Sequence, residues 1–156
     1  MFPTRIDIAE RKKVTTVLNA HLADLSDLYS QTKFAHWNVK GPHFIALHEL
    51  FDKLAETVEG HIDEVAERVT ALGGTATGTM RQTTSATRLP EFPAGAVKGL
   101  EVVAALADRF GAVAKTVRAA IDETDELGDK GTADLLTGVS RDLDQALYFL
   151  EAHLRG

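Results

Sequence analysis

The stretch HWNVKGPHFIALHELFD, residues 36–52, decides how the chain folds. Gly41-Pro42 closes one helix and opens the next, because proline lacks the N–H that a helix interior needs but suits a first turn. Upstream, Val14, Leu18, Leu22, Leu25, Tyr29, Thr32 and His36 recur in steps of three and four, the mark of one helical face. Asp7 is the expected N-cap of this first helix, with Glu10 reaching back three residues later. Downstream, Phe44, Leu47, Phe51, Leu54, Val58, Ile62, Val65, Val69 and Leu72 keep the same rhythm until Gly73-Gly74 ends the second helix.

The rest of the chain completes a bundle. A third helix is predicted from about Val97 to Leu127, with Leu100, Val103, Phe110, Val113, Val117 and Ile121 facing inward. GDKGT, residues 128–132, breaks it, and a fourth starts at Thr132 with Leu135, Val139, Leu143, Leu147, Leu150 and Leu154 on its apolar face. Residues 75–95 form a polar connection too long for a bare loop in a compact domain. Within it TMRQTTSATRL is predicted as a short helix ended by the prolines. One long connection and two short ones give an all-α, ferritin-like four-helix bundle with one long crossover, a single domain over residues 1–156.

Composition narrows the function. The chain is 44% hydrophobic and 26% charged, an ordinary balance for a water-facing domain. Its longest apolar run, VVAALA at 102–107, falls far short of a membrane span, and MFPTRIDIAERKK at the start lacks the apolar stretch of a secretory leader, so the expected location is the cytoplasm. With no cysteine, disulfides and thiolate metal sites are excluded. A net charge of −6 argues against nonspecific binding to polyanions.

Beside the apolar stripe of the second helix runs another: His48, Asp52, Glu59, Asp63 and Glu67. His48 and Asp52 are four apart and so share a face, as do Asp63 and Glu67. The offset of eleven from Asp52 to Asp63 returns to within about 20° of the same direction but separates the pairs by roughly 16 Å along the axis. Metal–ligand bonds are about 2 Å long, so one chain cannot close a site with both pairs. Two copies of the helix, antiparallel about a twofold axis, bring the His48/Asp52 end of one against the Asp63/Glu67 end of the other, twice over. His36 completes each set. Two imidazoles and three carboxylates without sulfur suit Fe(II), Mn(II) or Zn(II). The chain has no Glu-x-x-His pair, which the di-iron centre inside a single bundle requires. Spacing alone leaves a second reading open, in which these residues are a solvated flank and His36 a hydrogen-bonded core residue.

His36-Trp37-Asn38-Val39-Lys40-Gly41, then Phe44, Leu47-His48, Phe51-Asp52, Asp63, Ala66-Glu67-Arg68 and Leu72-Gly73-Gly74, resemble the Dps family, the miniferritins that protect DNA in starved bacterial cells. Ala107-Asp108-Arg109-Phe110, Thr132-Ala133-Asp134-Leu135 and Ser140-Arg141-Asp142-Leu143-Asp144 extend the likeness over nearly the whole chain from Asp7. The resemblance implies a hollow homododecamer that oxidises Fe(II), preferably with hydrogen peroxide, and stores ferric mineral in its cavity. It implies di-iron ferroxidase sites between twofold-related subunits, with His36, His48 and Asp52 from one chain and Asp63 and Glu67 from its partner. Glu67 and Asp52 are assigned the tighter-bound iron, and Zn or Mn are possible substitutes. Trp37 either intercepts stray oxidising equivalents or simply packs at the helix end. Lys33 either tunes nearby acid–base steps or is a solvated lysine.

The acidic stretch DETDELGDKGTAD, residues 122–134, is the candidate path for iron, with Asp134 foremost and Asp129 and Glu126 behind it. The plainer alternative for Asp134 is an acid favouring a helix dipole. The lysine-rich tails by which some family members bind DNA have no counterpart here: MFPTRI offers Arg5, LRG offers Arg155, and Arg11, Lys12 and Lys13 are offset by Asp7 and Glu10. Twelve copies at −6 each carry about −72, which opposes DNA binding. The expectation is protection by removal of iron and peroxide. The alternatives are a DNA-compacting nucleoid protein with secondary iron chemistry, or a structural helical oligomer with a non-redox zinc site.

Overall fold

The computed structural model describes residues 1–156. It has five helices: α1 (Arg11–Asn38), α2 (Phe44–Ala71), α3 (Met80–Ala86), α4 (Gly99–Glu126) and α5 (Lys130–Ala152). α1 and α2 form one antiparallel hairpin and α4 and α5 another, with α1 packed on α4 and α2 on α5. Between them lies one continuous core in which Leu18, Leu22, Leu25, Phe51, Val65, Phe110, Val117, Leu136 and Leu143 are essentially inaccessible to water. The only extended pairing is a single parallel bridge, Lys40 to Lys98, which fastens the α1–α2 turn to the start of α4. Its bonds run from Lys40 N–H to Val97 O at 2.8 Å and from Gly99 N–H to Lys40 O at 3.1 Å. No helix is long and apolar enough to cross a membrane.

The predicted bundle and its short crossover helix are present, with corrections at the ends. Asp7 is not a cap: it is exposed, α1 begins at Arg11, and Glu10 in the cap position makes no side-chain bond. The segment before α1 is held instead by Phe2 N–H to Gly73 O at 2.8 Å and by Arg11 Nη1, which donates to Phe2 O and Leu72 O. Gly73 has φ +86 and a side chain there would sit 2.4 Å from Phe2 O, so this junction requires glycine.

Leu100 is exposed in the first turn of α4, and Leu154 lies beyond the end of α5, also exposed. On α2 His61 is buried between Val58 and Val65, while Ile62, on the predicted apolar stripe, packs half-buried against the core beside it. α5 starts two residues earlier than expected because Asp129 caps it. Its carboxylate accepts from Thr132 N–H at 3.0 Å, from Thr132 Oγ1 at 2.6 Å and from Arg68 Nη2 at 2.8 Å. Asp129 is 1% exposed. Burial alone would raise its pKa, but the bonds from Thr132 and the charge of Arg68 outweigh it and hold the carboxyl below the usual range.

The crossover is fixed to the bundle mainly by polar bonds. Asn19 pairs with the backbone of Thr75 and Thr77, and Asp24 takes Arg88 through its N–H, Nε and Nη2. Asp27 accepts from Thr87, Gln31 donates to Pro90 O, and the buried Arg109 donates to Glu91 O at 2.6 Å. α3 closes on itself with a capping box between Thr79 and Gln82 and buries no residue.

His21, 3% exposed on α1, carries an Nδ1 without a partner. Burial, helped by Arg88 and only partly opposed by Asp24, lowers its pKa to about 4. Between the ordinary histidine value and about 4 the unfolded chain takes up a proton that the folded chain refuses, so stability falls as pH drops through that window, by up to about 3 kcal/mol. His21→Leu should flatten this part of the profile, measured as Tm from pH 7 to 4; a slope equal to wild type would clear His21 as its source. Asp129→Ala should cost about 3 kcal/mol in denaturant unfolding, since it strands Arg68 and uncaps α5. Asp129→Asn should cost less, because the amide oxygen still accepts from Thr132.

Candidate metal centre

The turn 39–43 sets the geometry of the site. Gly41, at φ +125, reverses the chain in a conformation that other residues adopt only with strain. The last turn of α1 thereby lies against the first turns of α2, and His36 meets His48. Their rings stack with centroids 3.9 Å apart and planes 16° apart. His36 Nδ1 lies 2.6 Å from His48 O, and His48 Nδ1 lies 2.7 Å from His36 O. A carbonyl oxygen only accepts, so each Nδ1 carries the proton and donates it. In the neutral rings both Nε2 atoms therefore keep their lone pairs, which is the form a metal needs. The bond from His48 also satisfies a carbonyl in the last turn of α1, where the helix itself supplies no donor.

Asp52, one turn after His48 on α2, joins this pair: its Oδ1 is 3.8 Å from His36 Nε2. Lys33 Nζ donates to the same oxygen at 2.8 Å, with its side chain half-buried. That bond raises the pKa of Lys33 and, more than the neighbouring imidazoles do, lowers that of Asp52. Trp37 is exposed at 65%, with the Lys33 ammonium 5.9 Å from its ring centre. A cavity of about 770 Å³ between α1 and α3 reaches both Lys33 and Trp37.

The chain brings His36, His48 and Asp52 together and leaves Asp63 and Glu67 apart. Both are exposed on α2, and neither side chain has a hydrogen-bonding or ionic partner. No three His, Asp or Glu side chains of one chain converge tightly enough to hold a metal ion. Of the acids read as an iron path, Asp134 and Glu126 are exposed, whereas Asp129 is occupied as the buried cap of α5. The fit to a divalent cation is good at the chemical level: neutral imidazole nitrogens beside an ionised carboxylate are the donors that borderline metals accept.

Two features escaped the sequence reading. His61 Nε2 lies 2.7 Å from Asp142, tying α2 to α5. The signal was present, since His61 is three after Val58 and four before Val65, but Ile62 next to it is the more obvious apolar choice. Phe44 stacks on the outer face of His48, with centroids 5.0 Å apart.

Known proteins bear on this geometry. The family model for the ferritin-like domain matches residues 15–156. The chain is 47% identical over 154 residues to the DNA protection during starvation protein of Agrobacterium fabrum, covering 97% of this chain and 95% of that protein. Among solved structures it is similar to DpsA14 from Streptomyces coelicolor, with a TM-score of 0.93 at 37% identity over 98% of this chain and 92% of that one. It is similar also to the Dps protein of Vibrio cholerae O1, described as a member of a broad superfamily of ferritin-like diiron-carboxylate proteins, with a TM-score of 0.90 at 26% identity over 99% of each chain. A split histidine and carboxylate set on a ferritin-like bundle, with relatives of this kind matched almost end to end, leads to one conclusion: the chain belongs to the Dps family of ferritin-like proteins.

Proposed function

We propose that the protein is a ferroxidase and iron store that protects DNA by consuming Fe(II), preferably with hydrogen peroxide, at sites shared between twofold-related subunits of a dodecameric cage. The observation that carries this reading is the half-site: stacked imidazoles with both Nε2 lone pairs free, beside an ionised Asp52, while Asp63 and Glu67 stand unpartnered on the same helix. An antiparallel register that sets Asp52 opposite Asp63 of the partner subunit also sets His48 opposite Glu67 of the partner subunit. One symmetry operation thus assembles both halves twice.

The chemistry follows from the donors. The carboxylates of Asp52, Asp63 and Glu67 neutralise the incoming cations, and the neutral imidazoles of His36 and His48 complete their binding. Lys33 holds Asp52 in the metal-free chain and must yield that oxygen, or share it, when Fe(II) arrives. Two Fe(II) ions give one electron each to a hydrogen peroxide molecule, which takes two protons and leaves as two waters, so no hydroxyl radical is released. Trp37, exposed beside Lys33, is the residue we read as intercepting an electron deficit that escapes this pairing. Zn(II) or Mn(II) can occupy the same donors. Asp134 and Glu126, both exposed, are the proposed path for iron, and a cytoplasmic location accords with the reading. Direct DNA binding is not part of it, because the charge of −6 per chain opposes it.

The direct test adds Fe(II) anaerobically, then hydrogen peroxide, and follows ferric absorbance by stopped flow beside an oxygen-only run. Asp63→Ala/Glu67→Ala should lose at least about tenfold in rate, since removing even a group that only orients a metal ligand costs that much. A rate equal to wild type would refute the site. The division between subunits has its own test. A His36→Ala/His48→Ala chain and an Asp63→Ala/Glu67→Ala chain, each inactive alone, should recover activity after being unfolded and refolded together. Demonstrated mixing without recovery would exclude a shared site.

A further inference from the structure

We propose that a second copy of this chain supplies a lid to the metal centre: the entry of the partner subunit's crossover, residues 75–78, lies over Lys33 and Trp37 and encloses them at the twofold contact. The inference rests on the shared site proposed above and follows from where each chain holds its own crossover. Asn19, Ser26, Ser30, Lys33 and Trp37 recur at spacings of seven, four, three and four, so they share one face of α1. Lys33 reaches Asp52 from that face, which therefore borders the ligand stripe of α2. The crossover begins on the same face. Asn19 donates to Thr75 O at 3.0 Å and accepts from Thr77 N–H at 3.1 Å, and a Cβ added at Gly78 would lie 3.5 Å from Leu22.

α1 and α2 run antiparallel and keep level. Lys33 meets Asp52 near one end, and a Cβ at Gly74 would touch both Thr15 and Val69 at 3.0 Å near the other. Asp63 is eleven residues beyond Asp52 on α2, and Leu22 is eleven before Lys33 on α1, so Asp63 and Leu22 are level. Setting Asp52 opposite Asp63 of the partner subunit thus sets Lys33 opposite Leu22 of the partner subunit, where the crossover arrives. Trp37, one turn on, comes within about 3 Å, along the axis, of Asn19 of the partner subunit. Inside one chain Trp37 and Asn19 are eighteen residues apart, roughly 27 Å along α1, so no chain covers its own Trp37 with the segment that Asn19 holds. Thr75-Ala76-Thr77-Gly78 has no long side chain to keep another subunit away. Tryptophan is enriched at the centre of such contacts. Symmetry makes two lids at each twofold contact.

The chain has no cysteine and one tryptophan, which allows two clean measurements on the assembled protein. In Trp37→Cys/Thr75→Cys a short bis-maleimide should join chains into covalent dimers on a denaturing gel, and neither single variant should link. Glu59→Cys alone is the control for the α2 contact. The proposed register places it within about 5 Å of its own copy along the axis, so it too should link. For the second measurement, a nitroxide on Thr75→Cys should remove most of the Trp37 emission, and reduction of the label by ascorbate should restore it. Trp37 emission that survives the label, or a cysteine pair that fails to link where Glu59→Cys links, overturns the lid and leaves the shared site standing. Failure of Glu59→Cys to link defeats the α2 contact itself, and the lid with it.

Discussion

The continuity of α2 governs the rest. Twenty-eight residues run without a break from Phe44 to Ala71, and a rigid rod of that kind cannot fold its two ligand pairs onto one another. Its apolar stripe is committed to the core, its polar stripe to the outside, and the angle between them is fixed by the helical repeat. The hairpin with α1, the long crossover and the exposure of Asp63 and Glu67 are all solutions to the position of that rod.

The sequence was legible wherever one periodicity dominated. The apolar rhythm of α2, the Gly-Pro and Gly-Gly stops and the polar crossover gave the helices and their connections because each is a local signal. It was less legible where two signals shared one turn. His61 and Ile62 are neighbours and both satisfy a helical stripe; the histidine is the more buried of the two and finds Asp142 on α5 as its partner. Asp129 read as one acid among many, because nothing in DETDELGDKGTAD reveals that Arg68, 61 residues upstream, meets it in the folded state. The ring stack was equally hidden. Phe44 fits an apolar stripe, and the sequence does not show that its ring lies on His48, one turn on, instead of in the core.

Two kinds of cohesion coexist in the molecule. The hairpins are joined mainly by apolar burial, which has no preferred direction, with His61–Asp142 and Arg68–Asp129 as polar ties between α2 and the α4–α5 hairpin. The crossover is joined by Asn19, Asp24, Asp27, Gln31 and Arg109, whose bonds are directional and fail together if the register slips. Arg109 is notable for meeting only neutral acceptors, Gln31 Oε1 and the carbonyls of Ala105 and Glu91, in a buried position. Specific placement of the chain between Leu89 and Phe92 is therefore set by polar geometry, close to the face of α1 that carries Lys33 and Trp37.

The isolation of Asp63 and Glu67 from His36, His48 and Asp52 has a consequence for the life of a newly made molecule. Under the proposed division of ligands, a single chain leaving the ribosome carries only unfinished halves. It is a poor catalyst until it finds a copy of itself. Redox chemistry would then begin only after association, and association is also what builds the container for its insoluble product. Timing and storage would be coupled through the length of one helix, without a separate regulator.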